Sequence, residues 1–205
     1  MRALLLCVLF TGLLVAADLW TKDLAVEHLS RDRIGETPAV CDELGIRGMQ
    51  RFPGEANVVV DGYLEFRYAE NCGAAFGLLD DAPLMVRRIV FGGAGVAAVV
   101  LLFVMFFRGS GGPFFAYSVP LIVSGAVGNL VDRARLGYVV DFIRFHIQDS
   151  FEYPTFNVAD ITITVGVALL LIDGIREERL AKRRAAEQEA SSSDDGEEEL
   201  GRGKR

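Results

Sequence analysis

The chain has 205 residues, a formal net charge of −7 and an apolar content of 51%. This length suits a single domain, and the three cysteines are too few for a disulfide scaffold. The apolar content alone does not separate a soluble protein from a membrane protein, so the distribution of apolar residues along the chain has to decide the class.

Four long apolar runs are separated by polar stretches. Each run is close to the roughly 20 residues that a helix needs to cross a hydrocarbon core of about 30 Å. A segment in lipid must satisfy its backbone hydrogen bonds internally, and the runs lack the alternation of a strand, so they are predicted to be helices. The sequence therefore predicts an all-α integral membrane protein with four transmembrane helices, at about residues 3–20, 89–107, 114–131 and 158–175.

The first span and the orientation of the bundle each allow two interpretations. Val15-Ala16-Ala17 resembles the processing site of a cleaved secretory signal, although Arg2 is the one basic residue before the run. Basic residues flank the spans on both sides, with Arg176 after span four and Arg133 after span three, so charge counting is inconclusive. The further basic residues of the tail favour cytoplasmic termini.

A long polar segment, residues 21–88, separates spans one and two. Around an Asp61-Gly62 turn, residues 58–70 partly alternate between apolar and polar side chains, which predicts a small β-hairpin or sheet on the membrane surface. Cys41 and Cys72 also lie in the long segment and could pair if it faces an oxidising compartment.

The C-terminal residues 181–205 are rich in charged and small side chains. They lack apolar periodicity, so they are predicted to be a disordered, charged cytoplasmic tail that follows a membrane domain at residues 1–180. Much of the negative charge of the chain lies in this tail, so that charge says little about the substrate.

Polar and ionisable side chains gather at the ends of the predicted spans, where their cost in lipid makes them candidates for function. Because consecutive spans run in opposite directions, the end of span one, the end of span three and the start of span four share one side of the bundle. The two segments that connect spans on that side carry further polar residues. The whole group is Asp18, Lys22, Asn71, Asn129, Asp132, Arg133, Asp141, Asn157 and Asp160.

Each of these residues also has a purely structural explanation. Asp160 could complement the positive end of its helix dipole, and Asn157 could be the N-cap of the same helix. Asp132 and Arg133 could form an interfacial ion pair, and Asp141 could be a solvated loop residue. Against that last interpretation, Asp141 lies within an apolar stretch, where a carboxylate is costly unless it has a function.

Two aspartates close together in a poorly solvated site cannot both ionise easily, so such a pair can share a proton. One member can then activate water while the other protonates the departing amine, which suits peptide hydrolysis without a metal. The sequence has no zinc-binding, nucleophilic-serine or phosphate-binding motif, so no metal or cofactor is expected. This pattern favours a membrane aspartyl hydrolase.

At these residues the sequence resembles the bacterial lipoprotein signal peptidases, the signal peptidase II family. The resemblance covers about residues 3–178 and consists of five ordered blocks, which are far more specific together than any one block alone. Cys72, the length of the segment before residue 58 and the acidic tail depart from the usual family pattern. The blocks are Asp18-Leu-Trp-Thr-Lys22, Asn71-Cys-Gly-Ala-Ala-Phe-Gly77, Gly128-Asn-Leu-Val-Asp-Arg133, Gly137-Tyr-Val-Val-Asp-Phe142 and Phe156-Asn-Val-Ala-Asp160.

The resemblance implies an aspartic endopeptidase that cleaves diacylglyceryl-modified prolipoproteins just before the lipidated cysteine. It implies a bacterial cytoplasmic membrane, with both termini in the cytoplasm and the site on the extracytoplasmic side. Membrane lipids are the other expected partners, and we expect a monomer without a nucleic-acid partner. By position, it assigns catalysis to Asp141 and Asp160, the lining of the site to Asn71, Asn129, Arg133 and Asn157, and supporting roles to Asp18, Lys22 and Asp132.

Two other classes of function remain open on the residues alone. An ion or proton conduit would also place carboxylates in a membrane, but its polar residues would be spread through the depth of the spans rather than gathered at one end. A structural or assembly subunit would make Asp141 and Asp160 dispensable. Substitution of either aspartate separates these alternatives from a hydrolase.

Overall fold

A computed structural model describes residues 2–32, 51–72, 84–109, 111–148 and 150–202. Its strands lie in the connections that follow the first and the third helix. The helices are α1 (Arg2–Leu29), α2 (Leu84–Phe107), α3 (Phe115–Arg135) and α4 (Val158–Arg202); the strands are β1 (Ser30–Asp32), β2 (Arg51–Pro53), β3 (Asn57–Val60), β4 (Leu64–Asn71), β5 (Val139–Ile147) and β6 (Phe151–Glu152).

Three helices within the described ranges are long and apolar enough to cross a membrane, and they correspond to predicted spans one, three and four. Within those ranges, the apolar part of α2, Gly95–Phe107, is shorter than the roughly 20 residues of a full crossing. Membrane-spanning helices are therefore confirmed, whereas a count of four stays a prediction. The three qualifying stretches are Leu4–Leu29, Phe115–Arg135 and Val158–Gln188.

Two helices extend beyond the ends that the sequence predicts. α1 ends at Leu29 rather than near residue 20, because the polar residues that follow Trp20 include no glycine or proline to end it. α4 continues to Arg202, so residues 181–202, predicted as a disordered tail, are helical. The first residues of this tail are mostly Ala, Lys, Arg, Glu and Gln, whose high helix propensity favours continuation of the helix.

A four-stranded antiparallel sheet has the order β3-β4-β5-β6. Its first two strands are the predicted hairpin, and Gly62 in the connecting turn has a φ of +74°, which glycine adopts readily. The sequence analysis does not predict β5, although its β-branched and aromatic residues suit a strand. The fold is therefore a mixture of helix and sheet, which corrects the all-α class.

The long connection between α1 and α2 begins with a second, two-stranded sheet of β1 and β2. Arg51 ties these strands together, because its guanidinium donates to Ser30 Oγ and Asp32 Oδ1, each at 2.6 Å. Cys72, at the end of β4, is disulfide-bonded. Cys41, its predicted partner, lies outside the described residues.

Helix α3 lies at the centre of the bundle and packs against α1, α2 and α4. Its contact with α4 is close because α3 has a glycine at the crossing. A β-carbon added to Gly125 would lie against the carbonyl oxygen of Ala159 and the hydroxyl of Thr162. Gly166 of α4 fits against Ile122 of α3 in the same way. Small residues at such positions let helix backbones approach in lipid.

An apolar cluster joins the four-stranded sheet to one end of the bundle. Ala25 of α1 contacts the sheet there, so the end of α1 and the face of β5 are fixed relative to each other. Burial of apolar surface of this kind stabilises by roughly 25 cal/mol per Å². The buried members are Ala25, Tyr68, Tyr138, Val140 and Phe142.

The outer faces of the helices are strongly apolar. Leu6, Leu13 and Trp20 of α1 have 66%, 69% and 64% of their surface exposed, and Leu171 of α4 has 61%. Soluble monomers rarely leave so large a continuous apolar surface in water. Together with the length of the helices, these faces indicate an integral membrane protein.

Candidate active site

The register of the sheet brings Asn71 and Asp141 together. Asn71 is paired with Val139 and Ala69 with Asp141, so Asn71 and Asp141 are diagonal neighbours on one face. The side-chain amide Nδ2 of Asn71 donates to Asp141 Oδ2 at 2.9 Å. The pairing of β4 with β5 thus connects residues that are 70 positions apart in sequence.

The segment before α4 brings the start of that helix to the same strand. Phe156 forms an isolated antiparallel bridge with Ile143, two residues after Asp141 on β5. Asn157 follows Phe156, and its buried side chain donates to Asp141 Oδ1 at 2.7 Å and contacts the carbonyl oxygen of Val140 at 3.3 Å. The bridge therefore places the side-chain amide of Asn157 within hydrogen-bonding distance of Asp141, in addition to that of Asn71.

Asn157 and Asp160 also cap the start of α4. The backbone N–H of Asp160 donates to Asn157 Oδ1 at 3.0 Å, and the backbone N–H of Asn157 donates to Asp160 Oδ2 at 3.1 Å. This reciprocal arrangement is a capping box. The structural interpretation of Asn157 as an N-cap is therefore confirmed, and the same side chain serves Asp141 as well.

Asp141 is a buried strand residue and has 2% of its surface exposed, so the interpretation as a solvated loop residue is wrong. Burial raises the pKa of its carboxyl to about 7, and the nearby negative charge of Asp160 adds to the increase. The two amide donors act in the opposite direction because they stabilise the charged form. Asp141 therefore holds a proton far more readily than an ordinary aspartate.

Asn129, in the last part of α3, links the second aspartate to the network. Its Nδ2 donates to Asp160 Oδ1 at 2.9 Å. Its Oδ1 accepts from Lys22 Nζ at 2.8 Å and from Asn157 Nδ2 at 3.1 Å. Asn129 and Asn157 are thus hydrogen-bonded to each other, and each also donates to one of the two aspartates.

Asn129 contacts a buried ionic cluster formed by Lys22, Asp18 and Asp132. Lys22 Nζ is 2.9 Å from Asp18 Oδ2 and 3.1 Å from Asp132 Oδ2, and all three side chains are buried. Asp132 therefore pairs with Lys22 of α1. Asp132 Oδ2 also accepts from the backbone N–H of Val140 at 3.1 Å, which ties the end of α3 to β5.

Asp18 connects three helices at once. Besides Lys22 in its own helix, its Oδ1 accepts the backbone N–H of Ala159 in α4 at 2.8 Å. Its carboxylate lies directly against Gly128 of α3, where a β-carbon would collide with Oδ2. The glycine that begins the third sequence block thus makes room for the aspartate of the first block.

Arg133 lies at the edge of the site. Its Nη1 donates to the backbone oxygen of Asn129 at 3.2 Å, and the side chain is exposed. Asp141 and Asp160 both act electrostatically on its guanidinium. Arg133 therefore presents a positive charge next to two carboxylates on a surface that a bound molecule can reach.

Asp173 is a buried carboxylate that the sequence analysis does not single out. It belongs to α4, and its Oδ2 and Oδ1 accept the backbone N–H groups of Gly112 and Phe114 at 2.6 and 3.0 Å. These groups precede α3, so Asp173 caps that helix from a neighbouring one. An acidic residue inside a predicted span was the signal that could have identified it.

The structure thus brings eight of the nine predicted residues into one hydrogen-bonded or ion-paired network, and Arg133 joins it through a backbone oxygen. The chemistry that this arrangement can support is proton transfer between two carboxylates and a bound molecule. Within the described ranges, no three His, Cys, Asp or Glu side chains lie close enough together to hold a metal ion.

Comparison with protein families relates this network to known sequences. Residues 10–176 match the family model described as signal peptidase (SPase) II. A lipoprotein signal peptidase of Clostridium tetani is 40% identical over 131 residues, which are 64% of this chain and 81% of that protein. One of Enterococcus faecalis is 30% identical over 181 residues, which are 88% of this chain and 94% of that protein.

Two solved structures, each of a bacterial membrane enzyme obtained by the in meso method, are similar in fold. The first has a TM-score of 0.58 and 26% identity, and the match covers 81% of this chain and 85% of the other. The second has a TM-score of 0.56 and 27% identity, with coverage of 81% and 90%. The similarity of fold thus extends over most of both chains.

Proposed function

The chain belongs to the signal peptidase II family, and from this membership we propose that it removes signal peptides from diacylglyceryl-modified prolipoproteins as an aspartic endopeptidase. The relatives named lipoprotein signal peptidase support the substrate class. The observation that carries the catalytic assignment is the network in which Asn71, Asn129 and Asn157 donate to Asp141 and Asp160. Cleavage just before the lipidated cysteine is part of the proposal.

The two aspartates have different roles in the proposed reaction. Asp141, whose pKa burial raises to about 7, acts as the proton donor. Asp160 acts as the base, and it lies in the first turn of α4, where the side chain of Asn129 and the backbone of Asn157 donate to its two oxygens. This difference in environment supplies one acid and one base.

Peptide hydrolysis then follows in two steps. Asp160 accepts a proton from water as the water oxygen attacks the carbonyl carbon, and Asp141 donates its proton to the carbonyl oxygen. The tetrahedral intermediate returns a proton to Asp141 while the C–N bond breaks and the departing amine takes the proton from Asp160. Each aspartate ends in the protonation state in which it began, so the cycle can repeat.

The position of the site suits a substrate that is anchored in lipid. Asp160 begins a membrane-spanning helix, and Asp141 lies on a strand outside the spans, so the pair sits at the boundary of the apolar region. Acyl chains can remain in the bilayer while the peptide reaches the carboxylates. Arg133, exposed beside them, would hold a carbonyl or carboxyl group of the substrate.

The proposal includes a specific arrangement in the bacterial cytoplasmic membrane. Four crossings, with α2 as the second, place both termini in the cytoplasm and the site on the extracytoplasmic side. The hairpin of β3 and β4 would then lie over the substrate and shield the aspartates from bulk water. We further propose that the enzyme acts as a monomer in contact with membrane lipids.

Reconstituted enzyme tests the proposal directly. Purified wild type, Asp141→Asn and Asp160→Asn are compared on a prolipoprotein with and without the diacylglyceryl group. We expect wild type to cleave only the lipidated form. Both variants should lose this activity by at least about 10³-fold, because each carboxyl group moves a proton. Asp23→Asn, an exposed aspartate on α1, is the matched control and should cleave normally.

Retained cleavage in either variant would refute the catalytic pair. Well-folded wild type that cleaves neither form of the substrate would favour the conduit or assembly interpretation instead. Equal cleavage of both forms would leave the aspartic peptidase in place but remove the lipid requirement.

A further inference from the structure

Lys22 is a buried cation at the centre of the polar network. It has 1% of its surface exposed and lies on α1, away from both proposed catalytic aspartates in sequence. An ammonium group has three N–H donors and no acceptor. Here it has three oxygen partners within 3.1 Å, one on Asn129, one on Asp18 and one on Asp132.

The contact between Lys22 and Asn129 determines which way the amide of Asn129 points. A carboxamide has an oxygen at one end and an NH₂ group at the other, and the two orientations differ little in shape. Because Lys22 can only donate, the oxygen of Asn129 must face it at 2.8 Å. The NH₂ group then faces the other way, where it donates to Asp160 Oδ1 at 2.9 Å.

A second donor reinforces the same orientation. Asn157 Nδ2 also points at Asn129 Oδ1, at 3.1 Å, and a reversed amide would set two NH₂ groups and an ammonium against one another. Asn157 is itself held by Asp141 and the start of α4. Lys22 donates to this oxygen from a charged group, and charged donors make the stronger hydrogen bonds.

We propose that Lys22 is a positioning residue of the active site: it fixes the amide of Asn129 so that this amide donates to Asp160. The inference rests on the proposed function of Asp141 and Asp160. Lys22 acts on Asp160 through Asn129, and its positive charge also acts on Asp141 across space. Asp18 and Asp132 hold the ammonium in place from α1 and α3, which gives the supporting residues of the network one common purpose.

Removal of Lys22 alone would leave two buried carboxylates without their cation, and such a variant can fail to fold. A variant that keeps the formal charge of the cluster reduces this problem, because only one buried carboxylate then lacks the cation. Lys22, Asp18 and Asp132 sum to a formal charge of −1, and Lys22→Met with Asp132→Asn also leaves −1, on Asp18. Asp132→Asn alone is the matched control, because it differs from the double variant only at Lys22.

The first experiment compares kcat of these proteins on the lipidated prolipoprotein, after thermal unfolding has shown which are folded. The double variant should lose on the order of 10²-fold in kcat, the loss expected when a reacting group is misplaced by about 1 Å. This loss is measured relative to Asp132→Asn alone, which already lacks the carboxylate that holds Lys22 from α3. Similar activity of the double variant and the control would overturn the proposal.

The second experiment asks whether Lys22 acts through Asn129. Asn129→Ala is introduced into the wild type and into the double variant. If the two residues act as one unit, Asn129→Ala lowers kcat in the wild type by on the order of 10²-fold and by less than about threefold in the double variant. Losses that multiply would show that Lys22 acts by another route and would refute the proposal.

A pH profile separates positioning from a general loss of active enzyme. The charged groups around Asn129 are Lys22 and Asp18 of α1, Asp132 and Arg133 of α3, Asp141 of β5 and Asp160 of α4. When the amide no longer donates to the ionised carboxylate, the acid limb of kcat/KM should move to higher pH. An unchanged limb together with lower activity would indicate a structural role and contradict the proposal. Wild type that does not cleave at all would instead refute the proposed function itself.

Discussion

A single carboxylate, Asp141, is both buried and hydrogen-bonded at each of its oxygens. It is almost completely buried on a strand, yet both oxygens accept a hydrogen bond from a side-chain amide. Burial alone would favour a neutral acid, whereas the amides stabilise the ion, so the carboxyl group can change charge without losing its place. The proton transfers that we propose for Asp141 require this balance.

The raised pKa of Asp141 makes stability depend on pH. The folded pKa is about 7 and the ordinary value is 3.8, so between these values the folded state binds more protons than the unfolded state. Stability from this group is therefore present below pH 3.8, falls as pH rises and is lost above about pH 7. The full difference is on the order of 4 kcal/mol.

Asp141→Asn should remove this dependence. Thermal unfolding in detergent at pH 5 and pH 8 should show a smaller loss of Tm with increasing pH in the variant than in wild type. Asp23→Asn, at an exposed position, should follow wild type at both values. Parallel pH dependence in wild type and Asp141→Asn would contradict the raised pKa.

Which residues form the site could be predicted from the sequence, but how they are connected could not. The alternating direction of spans is enough to place Asp18, Asn129 and Asp160 on one side. The contact of Asp132 with Lys22 depends on the rotation of α1 about its axis. Rotation is set by packing, and no local pattern encodes it.

At the scale of the elements, α3 and the start of α4 determine the geometry of the site. The two helices approach closely at Gly125, where the carbonyl of Ala159 takes the space of a side chain. One residue later on α4, Asp160 accepts a hydrogen bond from the side-chain amide of Asn129 on α3. The distance between the helices therefore sets the length of a hydrogen bond in the site.

Gly125→Ala should force α3 and α4 apart. The added carbon meets backbone, which cannot rotate away, so a loss of about 1–3 kcal/mol in stability is expected, with lower cleavage activity. Gly174→Ala on α4 is the control, since no atom lies within 4 Å of its added carbon. If both variants unfold at the same temperature as wild type, the contact between α3 and α4 tolerates a larger side chain than this geometry indicates.

Asp173 should matter for stability and not for cleavage. It lies 13 residues beyond Asp160 on the same helix, or ~20 Å along its axis, and Asp173→Ala leaves two backbone N–H groups without an acceptor. We expect a loss of about 1–3 kcal/mol in unfolding free energy, and a smaller loss for Asp173→Asn, which keeps one acceptor oxygen. The kcat of the folded enzyme should not change; a large fall would reveal a connection to the site.

The elements differ in how well the sequence predicts them. The apolar runs locate α1, α3 and α4 because length in lipid is a strong constraint. β5 has the composition of a strand, but its partner β4 lies some 70 residues earlier, and such pairing leaves little local trace. The continuation of α4 reflects helix propensity, which the overall polarity of the tail conceals.

For the whole molecule, many large apolar side chains lie on the outer surface of the helices, where a soluble protein would have polar ones. α1 turns most of its side chains outward, whereas most of α3 is buried among its neighbours. The apolar residues of α1 thus contact lipid rather than a protein core, so their contribution depends on the membrane being present.

Leu13→Arg tests this arrangement. Leu13 has 69% of its surface exposed in the apolar part of α1, where an arginine costs roughly 2.5–3.5 kcal/mol in membrane insertion. The variant should accumulate less in the carbonate-resistant membrane fraction, while Leu13→Phe should behave like wild type. Equal recovery of the two variants would argue that this face of α1 does not contact lipid.

The central position of α3 also affects the order in which the molecule is assembled. α3 is the least apolar of the three candidate spans, and it carries Asn129 and Asp132 toward its end. When α3 enters the membrane, Lys22 of α1 has already been synthesised and can neutralise Asp132, whereas α4 has not yet emerged. Biogenesis can therefore proceed through an α1–α3 intermediate in which half of the polar network is complete before Asp160, one of the two proposed catalytic aspartates, leaves the ribosome.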